Sequence, residues 1–208
     1  MGQSTLIRDL LHIGAVKIET DNYFTWTSGL KSPIYCDNRL TMSYPEVRRS
    51  IAQAFVKKIE ALGPIDVIAG CATAGIPHAA WVADLLNLPM VYVRSSAKKH
   101  GKGNQIEGHI EKGQKAIVIE DLISTGKSSI EAAEALENEG VEVVEVLSIF
   151  TYNLQAAQDA FTGKSYSYQS LASYEELLQQ LLTENQINKE QEKLLMKWRQ
   201  DPYVFTNS

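Results

Sequence analysis

The chain has 208 residues, 44% hydrophobic and 22% charged, which is ordinary globular usage and enough for one domain with a full core. A net charge of -5 argues against a general nucleic-acid binder, and no apolar run approaches the length that crosses a bilayer. The opening MGQSTLIRDLL is amphipathic without a signal-peptide core, and Cys36 and Cys71 are too few for a disulfide scaffold, so a cytoplasmic protein with reduced thiols is expected.

Residues before about 45 break the alternation found further on and are expected to form a hood over the sheet edge. Within them Tyr23 to Arg39, YFTWTSGLKSPIYCDNR, sets aromatic and hydroxyl residues around a Ser28-Gly29 turn, and Ser32-Pro33 opens a short strand to Cys36. A strand-helix alternation starts near Ile65. Ile65 to Ala69 reads as a strand, Gly70 to Gly75 as a turn, Ile76 to Leu86 as a helix and Met90 to Val93 as a strand. A long polar passage runs from Arg94 to Lys115. Ala116 to Ile119 is an unbroken apolar run suited to a strand buried on both faces. From about Ser128 to Glu139 a helix carries Ile130, Ala133 and Leu136 on one stripe and stops at Gly140. Val143 to Phe150 is a further strand. This order predicts an α/β fold: a central parallel sheet flanked by helices, with right-handed crossovers. The expected organisation is a single domain, with a hood over about 1–45, an α/β core over about 46–165 and a helical tail over about 166–208. Leu177, Leu178, Leu181, Leu182, Leu194, Leu195 and Trp198 in the tail suit core packing, or alternatively a dimer contact.

The densest chemistry lies in IVIEDLISTGKSS, Ile117 to Ser129. Glu120-Asp121 follow the strand at the edge where open α/β sheets bind ligands. Ser124-Thr125-Gly126-Lys127-Ser128 then turn into a helix whose free N-H groups and positive dipole end favour a phosphate. Taken piece by piece this is a strand, an acidic turn and a helix cap. As a unit it differs from a Walker-type nucleotide loop, because Leu122 stands where that motif needs glycine. A receiver-like phosphoacceptor site would need a further acidic cluster near the N-terminal strand. A ligand with vicinal hydroxyls, read by the carboxylates, and a terminal phosphate, read by the loop, accounts for the whole.

In the polar passage, RSSAKKHGKGNQIEGHIEKG, Lys98, Lys99, His100 and Lys102 fall within five residues beside Gly101 and Gly103. Most charge runs are solvated loops, but this one follows directly on a strand and suits a lid closing on a polyanion. His100 and His109 lack the carboxylate or cysteine spacing of a metal site.

The Ile117–Ser129 segment resembles the phosphoribosyl pyrophosphate (PRPP) motif of type I phosphoribosyltransferases. With YFTWTSGLKSPIYCDNR and the lid passage, the chain is similar to the orotate phosphoribosyltransferases over about Asp9 to Phe150, and less so in the tail. The resemblance implies the type I phosphoribosyltransferase fold with an N-terminal hood. It implies transfer of phosphoribose from PRPP to orotate with magnesium (Mg2+), in a homodimer with shared active sites, with no nucleic-acid or membrane partner. Arg94, Lys98 and His100 would act catalytically on the pyrophosphate. Glu120 and Asp121 would hold the ribose hydroxyls, and Leu122, Ile123, Ser124, Thr125, Gly126, Lys127 and Ser128 would form the rest of the PRPP site, with Ser124 also near orotate. No protein ligand to the metal is implied. Gly70 to Gly75 is similar to the family's pyrophosphate loop. Three positions depart from the family pattern, with Thr27, Ala74 and Ser95 where lysine or another base is common, and Lys31 or Lys99 is the candidate substitute. An enzyme for another base, or a PRPP-sensing regulator, is the alternative; the latter needs a basic nucleic-acid module that the sequence does not offer.

Overall fold

The computed structural model describes residues 3–26, 29–96 and 105–206. The chain opens with α1 (Gln3–His12), whose Leu6, Ile7 and Leu10 are buried. Two small antiparallel ribbons follow. One pairs β1 (Val16–Ile18) with β4 (Ile34–Cys36), and the other pairs β2 (Phe24–Thr25) with β3 (Lys31–Ser32). A 3-10 turn, Asn38–Ser43, leads into α2 (Pro45–Glu60), which starts on a proline and buries Val47, Ile51, Ala52, Phe55 and Ile59 at helical spacing.

The alternating part then runs β5 (Val67–Cys71), α3 (Gly75–Leu86), β6 (Met90–Val93), β7 (Ile106–Glu107), β8 (Lys115–Ile123), α4 (Lys127–Asn138), β9 (Glu142–Thr151), α5 (Gln155–Lys164) and β10 (Tyr168–Ser173). These strands form one sheet in the order β10-β9-β8-β5-β6-β7, parallel throughout except for the β6–β7 pair. Alternate residues of the central strands feed two cores. Ile68, Ile117, Ile119 and Leu147 face α1, α2, α3 and the C-terminal helices, whereas Val67, Ala69, Val118 and Val146 face α4 and α5. Burial on both faces explains why β5 and β8 read as continuous apolar runs.

The structure corrects the sequence reading in four places. Strand β8 does not end at Ile119 but runs through both acids to Ile123, because Leu122 and Ile123 continue the ladder opposite Phe150 and Thr151 of β9. Gly70 and Cys71 belong to β5 and not to the turn, since their register against β6 is unbroken. The polar passage contains a strand, β7, which doubles back on Tyr92 and Val93. The alternation also continues beyond Phe150 through α5 and β10, so the region after residue 165 begins with a sheet strand and not with a helix.

After β10 come α6 (Tyr174–Thr183) and α7 (Lys189–Gln200). Their leucines go into the core: Leu177, Leu178, Leu181 and Leu195 are buried with Trp198. The Trp198 ring meets Trp26 of the N-terminal region and Tyr152 and Tyr174, with centroids 5.6 to 5.8 Å apart, which ties hood to tail. Helix α6 starts on a reciprocal cap: Ser173 Oγ accepts from Glu176 N, and Glu176 Oε2 accepts from Ser173 N. Ser173→Ala is expected to cost about 1 kcal/mol, read as an earlier midpoint in urea unfolding at an unchanged slope.

Candidate active site

The C-terminal ends of β5 and β8 open onto a cavity of about 390 Å³, lined by Cys36, Asp37, Arg39, Ala72, Thr73, Ala74, Glu120, Asp121, Leu122 and Ser128. One wall is the end of β8 and the first turn of α4, another the turn after β5, and the third the end of β4 and the segment following it. Two glycines allow this closeness. A Cβ on Gly75 would stand 2.3 Å from the carbonyl oxygen of Ile119, so α3 can lie against β8 only without a side chain there. Gly126 has φ +79°, which turns the chain from β8 into α4 under the Phe161 ring.

Glu120 is 5% exposed and its carboxylate is held by the chain itself. Oε1 accepts from the N-H of Asp121 at 3.0 Å, and Oε2 accepts from the hydroxyls of Ser128 at 2.9 Å and Ser129 at 3.4 Å. Asp121 lies beside it on the cavity wall, and its carboxyl is pushed up to about 7, first by burial and then by the charge of Glu120. A ligand that donates hydrogen bonds here would favour the ionised form that burial and Glu120 disfavour. The thiol of Cys71 donates to the carbonyl of Ser128, and burial together with Glu120 drives its pKa far upward, so it stays protonated.

The phosphate-type end of the site is α4. Its N-cap is Gly126, with no side-chain cap, so the first-turn N-H groups keep donors for an anion. Ser124 is half-buried and Thr125 exposed beside this turn, while Ile123 is buried and its carbonyl accepts from Thr151 Oγ1 and the N-H of Tyr152. Lys127 reaches away to Glu131 at 3.8 Å and is largely exposed.

The residues expected for the leaving-group side are less closely gathered. Arg94 follows β6, where its backbone pairs with Gln105 and its Nη1 lies 3.3 Å from Glu107 of β7; it does not line the cavity. Lys98, His100 and Lys99, and the Thr27 position, lie outside the described residues. Ala74 does line the cavity and Ser95 is exposed, while Lys31, offered as a substitute cation, is not part of the lining.

Sequence reading missed Asn38 and did not single out Asp37 or Arg39. Asn38 is fully buried, and its Nδ2 donates to the carbonyl of Asp121 at 2.7 Å, which pins the end of β8 to the hood. Asp37 caps the 3-10 turn and takes the Arg39 guanidinium in a two-point pair at 2.6 and 2.8 Å, which holds its carboxyl below the usual range. The Asp-x-Arg spacing was the available signal; the Asn38 contact, 83 residues away in sequence, had none.

Residues 43–169 match the family model described as the phosphoribosyl transferase domain. The orotate phosphoribosyltransferase of Oceanobacillus iheyensis is 58% identical over 94% of this chain and 97% of its own length. The chain belongs to the orotate phosphoribosyltransferase family. Among solved structures, the orotate phosphoribosyltransferase from Aeropyrum pernix superposes with a TM-score of 0.76 at 27% identity, covering 86% of this chain and 98% of that one. The Leishmania donovani UMP synthase gives 0.77 at 30% identity, over 96% of this chain but 42% of that longer protein.

Proposed function

We propose that the chain transfers the 5-phosphoribosyl group of PRPP to orotate, giving orotidine 5-phosphate and pyrophosphate in pyrimidine (UMP) biosynthesis. The observation that carries the reading is a single cavity joining Glu120 and Asp121 to the start of α4, in a chain with relatives of that name over nearly their full length. Displacement at the anomeric carbon passes through an oxocarbenium-like state, with positive charge on the ribose and negative charge on the departing pyrophosphate. Glu120, locked by its three donors, and Asp121 orient the ribose hydroxyls and face the growing positive charge. The first turn of α4, with Ser124 to Ser128, holds the 5-phosphate. Arg94, Lys98 and His100 act on the pyrophosphate.

Magnesium suits the donor set: the carboxylates facing the cavity are hard oxygen ligands, and the neighbouring thiol of Cys71 is kept protonated. Glu120 and Asp121 would hold it through the ribose hydroxyls they orient. When bound, it neutralises charge developing on the pyrophosphate.

The working unit is a cytoplasmic homodimer with shared active sites. Support for the dimer comes from Leu40, Tyr44 and Leu85, apolar and exposed near a groove between α2 and α3 lined by Pro45, Arg48 and Trp81. Support for a soluble location is that no helix among the described residues is long and apolar enough to cross a membrane, and both thiols are free.

Purified protein with PRPP and magnesium is expected to consume orotate, followed by its ultraviolet absorbance, to stop on chelation, and to sediment at twice the chain mass. Turnover of adenine, guanine or uracil in place of orotate would sink the assignment.

A further inference from the structure

We propose that Arg39 reads the carboxylate of the acceptor base, an inference that rests on the reading of that base as orotate. Orotate brings a carboxylate that uracil and the purines lack, so its selection needs a countercharge in the cavity. Among the described residues the lining contains three carboxylates, Asp37, Glu120 and Asp121, and one cation, Arg39. Of the other basic side chains described near the site, Arg94 is with Glu107 and Lys127 with Glu131.

The geometry of the guanidinium gives this cation its specificity. A guanidinium has two fork-shaped donor edges, each matched to a carboxylate. Its side edge, Nε and Nη2, is taken by the two oxygens of Asp37 at 2.6 and 2.8 Å. Its end edge, Nη1 with the second proton of Nη2, has no partner among the described residues, and the side chain is 63% exposed. Asp37 therefore sets the plane and leaves the outer fork open for a second carboxylate.

The base of this fork is also fixed. Asp37 Oδ1 accepts from the backbone N-H of Arg39, and the preceding residue, buried Asn38, donates to the carbonyl of Asp121. The reader of the base is thereby tied to the reader of the ribose. Attack at the anomeric carbon needs the acceptor nitrogen placed to within a fraction of an ångström relative to the sugar, and the Asn38 contact sets that spacing. Arg39 and Asp37 act on binding and orientation of the base, not on the leaving group.

The test is steady-state kinetics of the parent, Arg39→Gln and Arg39→Lys, varying orotate and PRPP separately, with uracil as the competing base. Loss of a two-point charged contact predicts a rise of about 10- to 100-fold in KM for orotate in Arg39→Gln. KM for PRPP should stay within about twofold, and the preference for orotate over uracil should narrow by the same factor as the orotate KM rises. Arg39→Lys keeps the charge without the fork and should recover only part of the affinity, and it carries the test should Arg39→Gln fail to fold. An unchanged KM for orotate in the variants overturns the inference, as does a rise confined to PRPP. If the parent itself does not turn over orotate, the functional reading fails first; if the parent does and the variants keep its KM, only the role of Arg39 fails.

Discussion

Asp121→Asn is expected to lose turnover by roughly 100- to 1,000-fold while making the fold more stable at neutral pH. The two effects have one cause. In the folded chain the Asp121 carboxyl is pushed up to about 7 by burial and by Glu120. Between the ordinary carboxylate range near pH 4 and pH 7, the folded chain therefore binds a proton that the unfolded chain has released, and stability falls as pH rises through that window. Above pH 7 the full cost of an ionised carboxylate beside Glu120 is present; below about pH 4 it vanishes. Asparagine keeps the shape and removes the charge. The variant should gain about 2 kcal/mol at pH 8 and almost nothing at pH 4, measured by urea unfolding at both values. Turnover falls because asparagine offers one acceptor oxygen and no charge where ribose hydroxyls must donate and where positive charge grows. In the parent, PRPP binding should tighten from pH 6 to pH 8 as the carboxyl ionises. A variant that is less stable than the parent at pH 8, or one within threefold of its turnover, would show that Asp121 is a structural residue.

The part of the site that was legible in sequence is the part built from adjacent residues. Glu120 and Asp121, the turn at Gly126 and the α4 stripe lie in one short stretch, where a both-faces-buried strand passes into a helix and each residue type has a local physical reason. Helix α3 and strand β6 were legible for the same reason. Strand β10 was not: YQSLAS at the sheet edge carries three polar side chains and has a partner on one side only, so it shows neither a continuous apolar run nor a clean alternation. Two-residue β7 is too short for any period to appear. The end of β8 was misplaced because carboxylates disfavour strands in general, whereas here Leu122 and Ile123 keep the ladder against β9. The third wall of the cavity was missed because it is assembled by long-range contacts. Asn38 meets Asp121 and Arg39 joins the same cavity only in the folded chain, and nothing in YCDNR taken locally marks it as facing a cavity.

Gly75→Ala is expected to cost about 3 kcal/mol and to lower turnover by at least about tenfold, although alanine is the better helix former. Sequence alone reads Gly75 as a turn residue, and a turn glycine is commonly replaced at small cost. In the fold it is the point where the first turn of α3 rests on β8: an added Cβ would lie 2.3 Å from the carbonyl oxygen of Ile119 and 3.3 Å from the Cα of Glu120. Both neighbours are backbone, so no side chain can swing aside. Either α3 backs away, thinning the core around Ala79, Val82 and Ala83, or β8 shifts and carries Glu120 with it. The first route costs stability and the second costs geometry at the ribose, so stability and turnover should fall together. Gly163→Ala supplies the contrast. Gly163 lies inside α5 with nothing within 4 Å of its would-be Cβ and no positive φ, so alanine there should gain about 0.5 kcal/mol and leave turnover unchanged. Urea midpoints and initial rates for the pair separate the two explanations of a costly Gly75. If Gly75→Ala behaved like Gly163→Ala, the contact between α3 and β8 would not be what places Glu120 at the cavity.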